Sequence, residues 1–119
     1  PSDKGSNPVA MTDDSVERGR ILFARNCAIC HGDSGRGDGP GGVNLSPQPA
    51  DFLVHVPYHS DPTLFGWISQ GVQGTGMPAF ADQLDELERW DLVNFLRKNF
   101  GDELANQRIL EQETPTAAP

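Results

Sequence analysis

The pentapeptide Cys27-Ala28-Ile29-Cys30-His31 decides the fold of this 119-residue chain. C-x-x-C-H is the attachment sequence of covalently bound haem, because two sulfurs, each added to one vinyl group, hold the macrocycle against one helical turn. The histidine that follows is then placed beneath the iron, where an imidazole nitrogen can act as the proximal ligand. The motif therefore predicts one covalently attached haem c, held through Cys27 and Cys30 with His31 on the iron.

Other uses of this cysteine pair fit the chain less well. A thioredoxin-like C-x-x-C begins a helix in a βαβ unit, and the sequence has no strand pattern. A zinc site needs four ligands, and besides the motif the chain offers only His55 and His59. Because the chain has two cysteines in all, no sulfur is left for a disulfide framework or a four-thiolate cluster. A chance match to the motif is the third alternative.

The opposite face of the iron needs a second ligand, and the chain has two methionines. A thioether opposite histidine favours the ferrous state and raises the reduction potential. Met77 lies in GTGMPAF, where glycines let the backbone pass close to the haem and Pro78 stiffens the turn. Met11 lies ahead of the first predicted helix, so an incidental role is expected there. The sequence predicts Met77 as the sixth ligand, and His55 and His59 are the rival candidates. If they do not bind the iron, these two histidines are expected either to lie on the surface of a loop or to contact a haem propionate.

Apolar residues at helical spacing predict an all-α chain. A first helix begins after N-cap candidates at 12–14, and its buried stripe, which includes Gly19 and Phe23, points at Cys27. A second helix begins with Asp61 as N-cap and Pro62 at its first position, and stops at Gly71.

A third helix spans about Asp85–Asn99, and Gly101 is the residue expected after its C-terminus. Its apolar face is expected to carry Leu92, Val93, Phe95, Leu96 and Phe100. Its polar face is expected to carry Asp91, Asn94, Arg97 and Lys98.

The composition of the segments between and around these helices indicates one long loop and the boundaries of the haem domain. Residues 32–57 read as one long irregular region, a length that is uncommon unless functional, and wrapping a cofactor is such a function. Residues 1–11 are interpreted as an extension or tether, 12–101 as the haem domain, and 102–119 as a C-terminal extension that is partly disordered.

Composition narrows the function classes. The hydrophobic fraction is 36%, so a large apolar prosthetic group would complete an otherwise thin core. The net charge of −8 and the lack of Lys and Arg clusters argue against nucleic acid, and a solvated acidic surface is favoured over a docking patch. No stretch is long and apolar enough to span a bilayer. The chain begins with Pro1, which is interpreted as a mature or trimmed start, so the lack of a signal peptide does not argue against export.

From Val16 to Phe100 the chain resembles the class I c-type cytochromes, which carry one haem. The resemblance rests on CAICH, the helix before it and the C-terminal RWDLVNFLRKNF. It implies the cytochrome c fold, three to five helices wrapped around one covalent haem. Gly39-Pro40 resembles the Gly-Pro of that family, which implies that the Pro40 carbonyl accepts a hydrogen bond from His31.

A finer resemblance concerns GDGP, NLSPQPADF and GMPAF, which are similar to cytochrome c domains associated with haem–copper oxidases and alternative complex III. It implies that Trp67 lies near the haem or its methionine side, with a plain core position as the alternative. The chain departs from mitochondrial-type members in having only Lys4 and Lys98. A docking ring of lysines is therefore not expected, and a small apolar patch at the haem edge is favoured instead.

Together these features predict an electron carrier rather than an enzyme, because an iron with both axial positions filled leaves no place for a substrate. The expected partners are respiratory complexes, such as a quinol-oxidising complex and a terminal oxidase. The expected location is the bacterial periplasm or the outer face of the cytoplasmic membrane. Two alternatives stay open: a cytochrome c module excised from an oxidase or dehydrogenase subunit, with a membrane tether upstream, and a gas-binding or peroxidase-like haem protein.

Overall fold

A computed structural model describes residues 7–101, which contain five α-helices and one 3₁₀ helix joined by loops. The helices are α1 (Asp13–Asn26), α2 (Ala28–His31), α3 (Phe52–His55), the 3₁₀ helix (Val56–Tyr58), α4 (Asp61–Gln70) and α5 (Glu86–Phe100). No strand occurs in residues 7–101, which confirms the all-α prediction. The same residues contain no helix of the length and apolar character that crossing a membrane requires. Residues 1–6 of the predicted tether and the predicted extension 102–119 lie outside the described residues, and the division at 11 and 101 stays a prediction.

The frame of the molecule is the crossing of α1 over α5. Gly19 is buried at this crossing, and a Cβ there would lie only 2.7 Å from the Cβ of Phe95. The missing side chain lets the two helix backbones approach, and it brings the Phe23 and Phe95 rings to 5.2 Å between centroids. The predicted stripe is thus the contact surface that carries α1 to the haem-attachment motif.

A Gly19→Ala substitution is expected to destabilise the protein by about 1–3 kcal/mol, the usual cost of forcing extra atoms into a packed contact. The matched control is Gly66→Ala, in the middle of α4, where an added Cβ meets nothing within 4 Å. That variant is expected to gain about 0.5–1 kcal/mol, because alanine loses less backbone entropy than glycine on helix formation. Denaturant unfolding of both variants measures the two effects, and equal shifts in the same direction would contradict the close approach.

The predicted polar face of α5 is partly buried, since Asp91 and Asn94 are only 3% and 2% exposed. The Ser15 hydroxyl donates to Asp91 Oδ1 at 2.6 Å, and Asn94 Nδ2 donates to Ser15 Oγ at 2.9 Å. Asn94 Nδ2 also donates to the Val9 carbonyl at 3.1 Å. The segment ahead of α1 and α1 itself cover this side of α5, so its polar residues bond to buried partners.

The helices begin and end at capping residues, and one predicted N-cap is displaced by one residue. Ser60, not Asp61, is the N-cap of α4: its side chain accepts a hydrogen bond from the Thr63 amide, and Asp61 is the first helical residue. Helix α5 begins after Asp85, which forms a capping box with Glu88. Helices α4 and α5 end at their predicted glycines, although Gly101 keeps a right-handed φ of −84°.

The long region 32–57 is less irregular than predicted. Asp51 caps α3 by accepting a hydrogen bond from the Leu53 amide, and the 3₁₀ helix follows directly. Leu53 and Val56 are buried in the hydrophobic core, which is why this segment becomes helical. The last part of the predicted loop therefore forms a wall of the molecule.

Candidate haem site

The haem-attachment motif occupies the sharp junction between α1 and α2. The Cys27 amide still closes α1 by donating to the Phe23 carbonyl at 2.9 Å, and α2 then begins at Ala28. The His31 amide donates to the Cys27 carbonyl at 2.9 Å. Both sulfurs and the imidazole therefore belong to a single turn, and all three residues line the same cavity.

The glycine-rich loop after the motif covers the carbonyls at the end of α2. Amides of the loop donate to these carbonyls: Gly37 to His31 at 2.7 Å, Gly39 to Cys30 at 3.1 Å and Gly41 to Ile29 at 2.7 Å. The last turn of a helix leaves its carbonyls without intrahelical partners, and here the loop supplies them. Side chains at Gly39 and Gly41 would keep the loop from lying so close to α2, and a Cβ at Gly37 would collide with the Pro49 carbonyl oxygen.

The orientation of His31 is set by two contacts from the chain beyond this loop. His31 Nδ1 lies 3.2 Å from the Ala50 carbonyl oxygen, and the Phe52 ring stacks on the imidazole at 4.3 Å between centroids. Pro40 is exposed, and the partner of Nδ1 in this structure is Ala50 rather than the Pro40 implied by the family resemblance. Residues 48–50 form no helix, turn or bend, and this segment presents the Ala50 carbonyl towards His31. Hydrogen bonding at Nδ1 leaves Nε2 as the nitrogen that can bind a metal.

Burial at the motif favours a neutral His31 imidazole and a protonated Cys27 thiol before attachment. Burial lowers the pKa of His31 below its usual value, and the hydrogen bond with the Ala50 carbonyl partly opposes that effect. Burial, followed by the influence of Cys30, raises the pKa of the Cys27 thiol to about 12. A thioredoxin-like cysteine needs the opposite shift, towards a reactive thiolate. Residues 7–101 also contain no group of three or more His, Cys, Asp or Glu side chains that could hold a metal ion.

Met77 is held by a loop that is anchored at both ends to α4. Gly71 ends α4 with a φ of +74°, and a Cβ there would lie 2.7 Å from the Met77 carbonyl oxygen. Beyond Met77, the Phe80 amide donates to the Ile68 carbonyl at 3.0 Å. The Met77 amide itself donates to Thr75 Oγ1 at 3.2 Å. These contacts keep the half-buried Met77 at the edge of the core.

One cavity of about 390 Å³ joins these parts. Its lining includes the residues predicted from the motif, Cys27, Cys30 and His31, together with Met77 and Trp67. Core side chains from α4 and α5 complete the walls, and no Asp, Glu, Lys or Arg among residues 7–101 belongs to the lining. A deep apolar cavity with two thiols and an imidazole on one turn fits a flat apolar macrocycle whose iron needs nitrogen and sulfur ligands.

The other predicted residues divide between the cavity and the surface. Met11 is 47% exposed and does not line the cavity, whereas His55 and His59 both do. Trp67 is 38% exposed, so it occupies the rim of the cavity and not the plain core. Pro40 does not belong to the lining.

Two contributors to the site were not predicted from the sequence, namely Ala50 and Phe52. Both stand in PQPADF, where Asp51 precedes an apolar run and is therefore a helix N-cap signal. That signal would have located α3, and with it the ring that stacks on His31. No local signal distinguishes the Ala50 carbonyl from its neighbours, because its role depends on where the loop meets α2.

Comparisons with known proteins agree with this geometry. The family model described as Cytochrome c matches residues 16–99. The cytochrome c subunit of the quinone-dependent alcohol dehydrogenase of Gluconobacter oxydans (strain 621H) is 33% identical over 93 residues, which cover 70% of this chain and 18% of that protein. The CcoP subunit of the cbb3-type cytochrome c oxidase of Azospirillum sp. (strain B510) is 32% identical over 81 residues, which cover 67% of this chain and 27% of that protein. The chain thus spans less than a third of the length of these curated relatives.

Solved structures show the same fold. A chain of the Kuenenia stuttgartiensis reducing HAO-like protein complex superposes with a TM-score of 0.66 and 27% identity, over 76% of this chain and 46% of that one. The KustC0563 c-type cytochrome superposes with a TM-score of 0.57 and 24% identity, over 67% of this chain and 94% of that one. The arrangement of helices around the cavity is thus one found in c-type cytochromes.

Proposed function

The chain belongs to the cytochrome c family and its cofactor is haem c, and from this premise we propose that it is a single-electron carrier whose iron is held by His31 and Met77. The family supports electron transfer through haem as the general activity. The pair of axial ligands and a role between respiratory complexes are the finer parts of the proposal.

One observation carries the choice of ligands: His31 and Met77 line the same apolar cavity, while Met11 lies outside it. The two residues come from separate structures, the α2 turn and the loop after α4, and each is independently anchored by backbone hydrogen bonds. Such anchoring keeps a ligand in place when the charge of the site changes. A site that does not rearrange is what fast one-electron transfer requires.

The haem supplies the one-electron chemistry, and the residues of the chain set its surroundings. The Ala50 carbonyl, as acceptor from Nδ1, orients His31 and increases its donor strength. The apolar lining excludes water and favours the less charged ferrous state. Trp67 and Ile29, 38% and 58% exposed, supply apolar surface at the cavity rim and beside the cysteines, suited to brief docking of a redox partner.

The partners we propose are a quinol-oxidising complex or dehydrogenase as donor and a terminal oxidase as acceptor, in the periplasm or at the outer face of the cytoplasmic membrane. The similarity to cytochrome c subunits named for an alcohol dehydrogenase and for an oxidase supports this assignment. The chain has two lysines and a net charge of −8, so we do not expect a basic docking ring.

A second candidate is a cytochrome c module within a larger oxidase or dehydrogenase subunit. It is favoured by the small share of the curated relatives, 18% and 27%, that this chain covers. The mass of the haem-containing product isolated from its native membrane or periplasmic fraction distinguishes the two. A product much larger than the 12.9 kDa chain supports the module, and a free product of about that size supports the carrier.

The experiment that tests the proposed function is a redox titration followed by optical spectra. We expect one Nernstian one-electron transition, a low-spin spectrum in both states and a thioether–iron charge-transfer band in the oxidised state. Rapid binding of carbon monoxide by the native ferrous protein at neutral pH would instead support the gas-binding or peroxidase-like alternative, because it requires an open or displaceable axial position.

A further inference from the structure

The wall of the cavity formed by α3 and the 3₁₀ helix carries a pair of imidazoles that the ligand assignment does not use. We propose that His55 and His59 form the binding site for the propionate carboxylates of the haem. The inference rests on the family's haem cofactor and on the proposed function, in that neither of these histidines is the sixth ligand. It assigns these two histidines to the charged edge of the macrocycle.

The first argument is the charge inventory of the cavity. A haem brings two carboxylates, and an ionised carboxylate in an apolar site is costly unless it is paired or hydrogen-bonded. No Lys, Arg, Asp or Glu lines the cavity within the described part of the chain. Apart from His31, the lining residues that can carry a positive charge are His55 and His59. These two imidazoles are therefore the cationic partners that the cavity itself offers.

The second argument is the geometry of the pair. The two rings are nearly parallel, with an interplanar angle of 13° and centroids 6.2 Å apart. The Trp67 ring meets His59 edge-on at 4.8 Å between centroids, which restricts the imidazole at the rim of the cavity. His55 is exposed and His59 is half-buried, so both can exchange protons with water while they face the cavity.

The third argument is that the backbone beneath the pair is held in place from α5. Arg97 donates to the Val56 carbonyl at 3.0 Å and to the His59 carbonyl at 2.5 Å. The same guanidinium forms an ion pair with Asp61 at 2.8 Å. Because this segment is already held in place, binding a ligand at the two imidazoles does not carry the entropic cost of ordering the backbone.

The charged groups around the pair are largely paired with one another. Arg97 of α5 is neutralised by Asp61 of α4, and Asp51, which caps α3, forms an ion pair with Arg36 at 3.1 Å. Tyr58, on the 3₁₀ helix between the two histidines, is the remaining titratable side chain of this wall. The charge that changes most near the pair on electron transfer is therefore that of the iron and its macrocycle.

A measurable consequence follows from the sign of that charge change. Reduction adds one electron, delivered by the redox partner, and so makes the site more negative by one unit. A more negative site favours the imidazolium form of a neighbouring histidine, which takes its proton from water; no covalent bond to the haem breaks. The reduction potential should consequently fall as pH rises through the range in which the pair loses its protons.

The test uses the haem-loaded full chain and two readouts. Potentials are measured from about pH 5 to about pH 9 for the wild type, His55→Gln, His59→Gln and the double variant, with haem loading checked by absorbance. The matched control is Val54→Gln, at an exposed α3 position that does not line the cavity. In parallel, imidazole NMR signals of the wild type are titrated in both redox states, which is tractable because the chain has three histidines.

We expect both imidazoles to titrate at higher pH in the reduced protein, and we expect the potential to lose most of its pH dependence in the double variant but not in Val54→Gln. Titrations that coincide in the two redox states, or an unchanged pH dependence in the double variant, would overturn the proposal. Neither result would disturb a low-spin spectrum with a thioether band, so failure here is distinguishable from failure of the proposed function.

Discussion

Replacing Met77 with alanine is expected to lower the reduction potential by on the order of 0.1 V or more, since axial ligands tune haem potentials over about 0.8 V. The thioether stabilises the ferrous state, and its removal opens one face of the iron to water or to a stronger donor. The thioether–iron charge-transfer band should disappear together with the high potential. Spectroelectrochemical titration of the purified variant measures both.

The matched control for this variant is Met11→Ala. Met11 is 47% exposed and outside the cavity, so its removal should leave the band and the potential as they are. A second variant, Met77→His, should retain a low-spin spectrum while losing the band. If the band survives in Met77→Ala, then Met77 is not the ligand, and the other thioether of the chain, that of Met11, becomes the candidate. A wild type that lacks the band would instead make the histidines of the cavity wall the candidates.

Replacing Asp61 with alanine is expected to destabilise the protein by about 3–5 kcal/mol, the usual cost of leaving a buried charge without its partner. The side chains of Arg97 and Asp61 are only 12% and 3% exposed, and their ion pair joins α5 to the first turn of α4. Arg97 also holds the Val56 and His59 carbonyls, so the unpaired charge would sit against the wall of the haem cavity. Denaturant unfolding of the haem-loaded protein measures the effect as a lower midpoint.

An exposed ion pair of the same chain provides the comparison for this variant. Glu17 and Arg20 of α1 are 55–56% exposed on their side chains, and their pairing is screened by water. Glu17→Ala should therefore leave the unfolding midpoint almost unchanged. Comparable losses in the two variants would show that burial does not control the contribution of the Asp61 pair. Asp61→Asn keeps an acceptor for Arg97 but removes the charge. Its unfolding midpoint should therefore lie between those of Asp61→Ala and Glu17→Ala.

Local chemistry is sufficient to predict α1, α4 and α5, though not α3 and the 3₁₀ helix. Gly19 and Phe23 were assigned to the buried stripe of α1 because helical spacing puts them on one face, and both are buried. Helices α4 and α5 end at Gly71 and Gly101 because glycine is favoured at helix C-termini. The N-cap of α4 was misplaced by one residue, from Ser60 to Asp61, because both are good capping residues and only the tertiary structure gives Asp61 a different partner, Arg97.

Two of the errors share one physical cause, which is contact between segments that are distant in the chain. Asp91 and Asn94 look solvent-facing by helical periodicity, yet α1 and the segment before it bury them. The acceptor for His31 Nδ1 is the Ala50 carbonyl because the extended chain after the glycine-rich loop returns to α2, a path that no local pattern specifies.

The pentapeptide at Cys27–His31 by itself determined that this protein is a haem c protein, because covalent attachment needs only two sulfurs and a histidine on one turn. The sequence also determined the helical class and the family. The tertiary structure alone decided that Ala50 and Phe52 contact His31, and it brings Met77, Trp67 and the histidine pair into one cavity with that turn. It did so because the cavity walls are assembled from helices and loops far apart in sequence, and their meeting depends on the packing of the whole core.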